Sequence, residues 1–160
     1  MTEFTGDLIT PALVDLHLDA ANDGAPVDKV AAIRALACRA VEAGRAGDLE
    51  QLVLDLKVRE EQLPTGLEGG IGVPHARSAT VTEPTLVFGR SDAGVPFGAE
   101  DGPAHLVFLI AVPDEEGDCH LAILAALARR LVQSSFKDAL LAALEPEAVV
   151  DLVRREVVRG

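Results

Sequence analysis

The run His105-Leu106-Val107-Phe108-Leu109-Ile110-Ala111-Val112 places an unbroken apolar stretch after a single histidine. A strand with one wet face alternates in polarity, so a run of this kind implies a strand covered on both faces of its sheet. Upstream, Thr85-Leu86-Val87-Phe88-Gly89-Arg90 reads as a second strand, and Ser91 to Gly102 as a polar excursion between the two. Downstream, Pro113 to Asp118 reads as a loop. Leu121, Leu124, Ala125, Ala128, Leu131 and Val132 then recur at helical spacing, which opens a helix near Cys119-His120.

The remaining segments follow the same alternation. Leu13-Val14-Asp15-Leu16-His17-Leu18 partly alternates like a first strand, closed by the turn chemistry of Asn22-Asp23-Gly24. From Pro26, residues Val30, Ile33, Leu36, Ala37, Ala40 and Val41 mark an amphipathic helix that stops near Gly44. Asp48 followed by Gln51 resembles a capping box and starts a helix that reaches Arg59-Glu60. Two shorter helices are expected over Phe136 to Leu144 and Glu147 to Val157, with Pro146 in a first turn. Helices alternating with strands predict an α/β protein, a three-layer α/β/α sandwich with a mixed β-sheet flanked by helices.

Length and composition bound what such a fold does. At 160 residues the chain fits one domain, 1–160, and with 49% hydrophobic residues but only five Phe, no Trp and no Tyr, its core must be aliphatic. The formal net charge of −12 argues against nucleic acid, whose phosphates need clustered cations. It suits solubility, or a basic protein partner. Cys38 and Cys119 are too few for a disulfide framework and point to a reducing compartment. No stretch approaches the roughly 20 apolar residues of a membrane helix, and Met1 to Asp7 lack a secretory signal, so a cytoplasmic protein is expected.

The chemistry concentrates in Thr65-Gly66-Leu67-Glu68-Gly69-Gly70-Ile71-Gly72-Val73-Pro74-His75. Glycines permit positive φ and close approach, while Pro74 restrains the backbone just before the imidazole of His75. Such a turn suits a nucleophile that meets a phosphate, and it equally describes a surface loop that ends in Pro-His. Neutral imidazole is available near neutral pH and forms a labile phosphoimidazole on attack at phosphorus. Transfer would be helped by a guanidinium and by a donor at a helix start, roles open to Arg59 and His120. Spacing alone leaves both residues equally readable as a solvated helix end and a plain helix start. Glu68 and Arg77 read as solvated charges or as neighbours of the anion, and His17 and His105 as structural or surface residues at strand positions. Metal ligation is disfavoured, because no Cys-x-x-Cys or His-x-x-x-His occurs and Cys119 adjoins His120; neither metal nor organic cofactor is expected.

From Arg59-Glu60 through Thr65-Gly66, Gly70-Ile71 and Val73-Pro74-His75, then Asp101-Gly102, Leu106 to Ile110, Val112-Pro113 and His120-Leu121, the chain resembles a known family. That family is the enzyme IIA domain of the fructose–mannitol (type 2) class of the phosphoenolpyruvate-dependent sugar phosphotransferase system. The resemblance covers nearly the whole chain. It implies that His75 accepts a phosphoryl group from the histidine-containing phosphocarrier protein and passes it to a cysteine of enzyme IIB during sugar uptake, with fructose the expected sugar. It also implies that His120 and Arg59 stabilise the phosphoryl group, and that the membrane is met only indirectly, through enzyme IIC. The other reading within the resemblance is a nitrogen-regulatory enzyme IIA, a phosphorylation-dependent binding regulator. Glu68, Gly69 and Gly72 depart from the family pattern, which has Gly, then Asn or Glu, then Ala at those places. A side-chain contact from position 69 is therefore missing, and whether Glu68 replaces it stays open.

Overall fold

A computed structural model of the chain describes residues 8–25, 27–116 and 119–158. In chain order its elements are β1 (Val14–Asp15), α1 (Lys29–Glu42), α2 (Leu49–Gln62), β2 (Gly66–Leu67), β3 (Ile71–Gly72), β4 (His75–Ser78), β5 (Thr85–Val95), β6 (Ala104–Pro113), α3 (Cys119–Leu131), α4 (Ser134–Ala142) and α5 (Pro146–Val153). The sheet runs β1-β5-β6-β3-β2, with β4 also paired to β6. It is mixed: β1 is parallel to β5, β5 antiparallel to β6, and β3 and β4 both parallel to β6. Helices α1 and α2 pack on each other and over β5 and β4, while α3 lies against β6 and β4, with α4 beside it and α5 on β1. The expected three-layer sandwich forms.

The apolar run explains why. From Leu106 to Val112 each residue is 2% exposed or less, so β6 is the covered central strand that its sequence demands. Beside it, β3 and β4 are two pieces of one strand, since Ile71 faces Leu106 and His75 faces Ile110 in a single register. Val73-Pro74 interrupts them. Pro74 has no N–H to give, yet its carbonyl accepts from the Ile110 amide at 3.0 Å, so the break costs little pairing. This continuity carries His75 onto the rigid sheet.

Several boundaries differ from the sequence reading, each for a visible reason. The first strand is only Val14–Asp15, because the Asp15 carboxylate accepts the His17 amide at 2.9 Å and turns the chain into a 3-10 segment over Leu18–Asn22. His17 thus lies in that turn and is exposed, not on a strand. The polar excursion from Ser91 is corrected too: β5 continues to Val95, with an irregularity after Arg90. The Ser91 hydroxyl and the Ala93 amide are satisfied inside, since Asp19 accepts from Ser91 Oγ at 2.5 Å and from the Ala93 amide at 2.9 Å. Phe97, within the same stretch, is buried.

At the helix starts, Asp28 caps α1 through the Ala31 amide at 2.7 Å, and Pro26 lies outside the described residues. Asp48 accepts from the Gln51 amide at 3.1 Å as expected, but the capping box is only half made. The Gln51 side chain turns to Asp55 at 2.9 Å, and the Asp48 amide donates to Thr80 Oγ1 at 2.6 Å. The last expected helix divides into α5, with Pro146 in its first turn, and a π-helical turn over Arg154–Val158.

Candidate active site

The glycine-rich stretch is a pinned hairpin and not a loose loop. Its strands β2 and β3 pair with Leu67 opposite Ile71, and Glu68-Gly69-Gly70 form the tip. Gly69 and Gly70 take φ of 94° and 78°, a region that disfavours side chains. The tip is tied down from below: the Gly69 amide donates to Asp101 at 2.9 Å, and the Gly70 carbonyl accepts the amides of His105 and Leu106 at 2.8 and 3.1 Å. Gly66 is required by close approach, because a Cβ there would stand 2.7 Å from the Phe97 carbonyl oxygen and 2.8 Å from the Ala99 nitrogen.

Two of the departures from the family pattern have structural correlates. A Cβ on Gly72 would lie 2.7 Å from the Phe97 ring, so the aromatic ring fills the space that an alanine methyl would take. At Gly69 the Lys137 ammonium of α4 stands 2.6 Å from where a Cβ would be, and it covers the position of the missing family side chain. Glu68 is exposed at the tip and is not among the residues that line the cleft described next.

Along the outer edge of β4, a cleft of about 540 Å³ opens between α2 and the start of α3. Leu54, Asp55, Val58, Arg59 and Gln62 of α2 form one wall, His75, Ala76 and Arg77 the floor, and Asp114 with His120 the far side. Arg59, His75 and His120, separated by up to 61 positions in sequence, therefore share one cavity. The two imidazoles stack, with centroids 5.7 Å apart and planes inclined by 23°. Thr65, Gly66, Gly69, Gly70 and Pro74 do not line the cleft; they build the hairpin and strand that hold His75.

His75 is 5% exposed, and its Nδ1 lies 2.9 Å from the Val73 carbonyl oxygen. A carbonyl only accepts, so the neutral ring carries its proton on Nδ1 and keeps the lone pair on Nε2. Burial is the largest influence on its acidity and pushes the pKa below the usual imidazole value, and the Arg59 charge acts in the same direction. The Val73 bond and the Glu60 charge oppose that shift without reversing it. His75 is accordingly a neutral base at neutral pH. The half-buried Arg59 donates from Nη1 to the Leu63 carbonyl at 3.3 Å, which ties its guanidinium to the end of α2.

Some cleft residues were not singled out from sequence. Leu54 and Val58 are 52% and 47% exposed, and with Asp55, Arg59 and Gln62 they form one stripe on α2 at i, i+4 spacing. The signal was present: Leu54 and Val58 fall out of phase with the buried Leu52, Val53 and Leu56. Asp55 accepts from Ser78 Oγ at 2.6 Å and so fastens α2 to the end of β4. Among the described residues, no group of three or more His, Cys, Asp or Glu side chains is placed to hold a metal ion, and no helix is long and apolar enough to cross a membrane.

Residues 20–156 match the family described as phosphoenolpyruvate-dependent sugar phosphotransferase system, EIIA 2. The chain belongs to that family. It is 41% identical over 133 residues to the fructose-specific EIIA component of Haloferax volcanii, spanning 82% of this chain and 86% of that protein. It is 31% identical over 150 residues to the fructose-specific EIIABC component of Bacillus subtilis, covering 93% of this chain but 23% of that longer protein. Its fold matches the nitrogen regulatory protein IIA-Ntr of Neisseria meningitidis with a TM-score of 0.80 at 27% identity, over 92% of this chain and 97% of the other. It also matches the Escherichia coli complex of enzyme IIAMTL and phosphorylated enzyme IIBMTL, with a TM-score of 0.74 at 25% identity, over 92% and 97%.

Proposed function

We propose that Nε2 of His75 accepts a phosphoryl group from the histidine-containing phosphocarrier protein and passes it to a cysteine of an enzyme IIB, in the uptake of fructose. The single observation that carries this reading is the bond from Nδ1 of His75 to the Val73 carbonyl, which leaves Nε2 as the nucleophilic atom of a buried, neutral ring. Its lone pair attacks phosphorus as the P–N bond of the donor phosphohistidine breaks, and the donor imidazole leaves with the electron pair. The Nδ1 proton stays where the Val73 carbonyl holds it. In the second step the cysteine thiolate attacks, an S–P bond forms, and Nε2 recovers its lone pair.

His120 and Arg59 line the same cleft as His75, which supports their role as donors to the charge spread over a transferring phosphoryl group. The exposed Leu54, Val58 and Leu121 around them offer an apolar rim for protein partners. Fructose and enzyme IIB are inferred from fructose-specific relatives and from the likeness to an enzyme IIA solved in complex with phosphorylated enzyme IIB.

The likeness to IIA-Ntr favours a second reading, in which the same phosphorylated histidine governs docking to a regulated protein. A phosphotransfer relay separates the two. With phosphoenolpyruvate, the two general phosphotransferase proteins and a fructose-class enzyme IIB, label is expected to pass through this chain onto the enzyme IIB cysteine. A chain that takes up label yet passes it to no enzyme IIB, while binding a kinase or transporter, supports the regulatory reading.

A further inference from the structure

Glu60 stands in the core-facing phase of α2, after Val53 and Leu56, and is only 4% exposed. Burying an ionised carboxylate is costly unless charge and hydrogen-bond partners compensate. Here three donors converge on it. Thr65 gives its amide to Oε2 at 2.8 Å and its hydroxyl to Oε1 at 2.6 Å, and Lys29 Nζ reaches Oε2 at 3.2 Å. The same ammonium lies 5.8 Å from the centre of the Phe97 ring, whose residue closes against Gly66 and Gly72.

The chain of bonds does not end at Thr65. Its carbonyl accepts the Val73 amide at 3.2 Å, and the Val73 carbonyl accepts the Nδ1 proton of His75 at 2.9 Å. We propose that Glu60 is a positioning residue for His75, acting through Thr65 and Val73 to hold the imidazole in the tautomer that leaves Nε2 unprotonated. Two bonds join Glu60 to Thr65 and one bond makes each later link, so displacing Thr65 moves the base of β2, the Val73 peptide and the imidazole together. Glu60 touches no phosphoryl group; it acts by fixing the geometry of the group that does.

The tautomer is read directly by long-range proton–nitrogen correlation spectra of the histidine side chains, assigned with His75→Ala. His105 is an internal reference, because its Nδ1 is held by the Ser91 carbonyl at 2.9 Å, away from this relay. The wild-type chain and Thr65→Ser are expected to show His75 protonated on Nδ1 alone when neutral. Glu60→Ala and Thr65→Val are expected to add the Nε2-protonated form at His75, leave His105 unchanged, and slow phosphoryl acceptance by roughly 10- to 100-fold. Thermal melts confirm folding, and Glu60→Gln, which keeps the side-chain shape, replaces Glu60→Ala if the latter does not fold.

Unchanged His75 tautomer and rate in Glu60→Ala or Glu60→Gln and in Thr65→Val, with only a lower Tm, would overturn the proposal. So would equal changes at His75 and His105, which mark a general loosening of the fold. The rate readout rests on His75 being the phosphoryl acceptor, but the spectra do not. A wild-type chain that takes up no phosphate contradicts the proposed function and leaves the tautomer to decide the role of Glu60.

Discussion

The imidazole of His120, in the first turn of α3, stacks on that of His75 at the start of β4, with 5.7 Å between centroids and 23° between planes. Stacking at that distance places the second ring beside the nucleophile. His120→Gln is therefore expected to leave His75 able to take phosphate but to slow transfer to enzyme IIB by roughly 10- to 100-fold, the size of loss that follows removal of one transition-state donor. Rapid-quench measurement of label passing to enzyme IIB checks this, and an unchanged rate contradicts the role of His120.

The acidity of His75 fixes a pH profile. Only the neutral ring attacks phosphorus, so acceptance is lost as pH falls through the pKa of the folded protein. Burial and Arg59 hold that pKa down, so acceptance should persist through the usual imidazole value, about 6.5, and fail only at lower pH. Arg59→Gln removes a charge that lowers the pKa, so the acid limb should move to higher pH. Glu60→Gln removes a charge that raises it, so the limb should move to lower pH. A pH–rate series on the three proteins gives the order, and coincident acid limbs contradict it.

Most of this architecture was legible because its signals are local. The unbroken run from Leu106 to Val112 implied a strand covered on both faces, and Asp48 three residues before Gln51 placed the start of α2 correctly. The extension of β5 was not legible, since Ser91 and Asp92 look like a turn until Asp19, distant in sequence, satisfies the strand from across the fold. The glycine-rich approach singled out His75 but read equally as a surface loop that ends in Pro-His. The convergence of Arg59 and His120 on it came from the family resemblance, because spacing cannot report that α2 and α3 flank one strand edge. Glu60 could have been suspected as a charge in the apolar phase of its helix, but its partners Lys29 and Thr65 come from separate elements.

Gly72 offers a test of packing beneath the hairpin. Phe97 is 1% exposed and its ring cannot swing away into solvent, so a methyl group 2.7 Å from it must displace buried structure. Gly72→Ala is expected to cost about 1–3 kcal/mol, seen as a Tm lower by several degrees. Phe97→Leu in the same background should recover part of the loss. A Gly72→Ala protein that melts like wild type contradicts this packing.

The charge of −12 predicts a response to salt. Self-repulsion opposes the compact state and is screened as the Debye length shrinks from about 10 Å at 0.1 M salt to about 3 Å at 1 M. Melting temperature should rise between those concentrations. A fall would mean that favourable ion pairs, such as Arg34 with Glu50 at 2.7 Å, outweigh the net repulsion.

Whether Nε2 of His75 is the atom that takes the phosphoryl group is tested most directly by nitrogen and phosphorus NMR of the chain phosphorylated from phosphoenolpyruvate by the two general phosphotransferase proteins. The expected spectrum shows one acid-labile phosphohistidine, with phosphorus coupled to Nε2 of His75 and absent from His75→Ala. Phosphate on Nδ1, on His120, or retained in His75→Ala would contradict it.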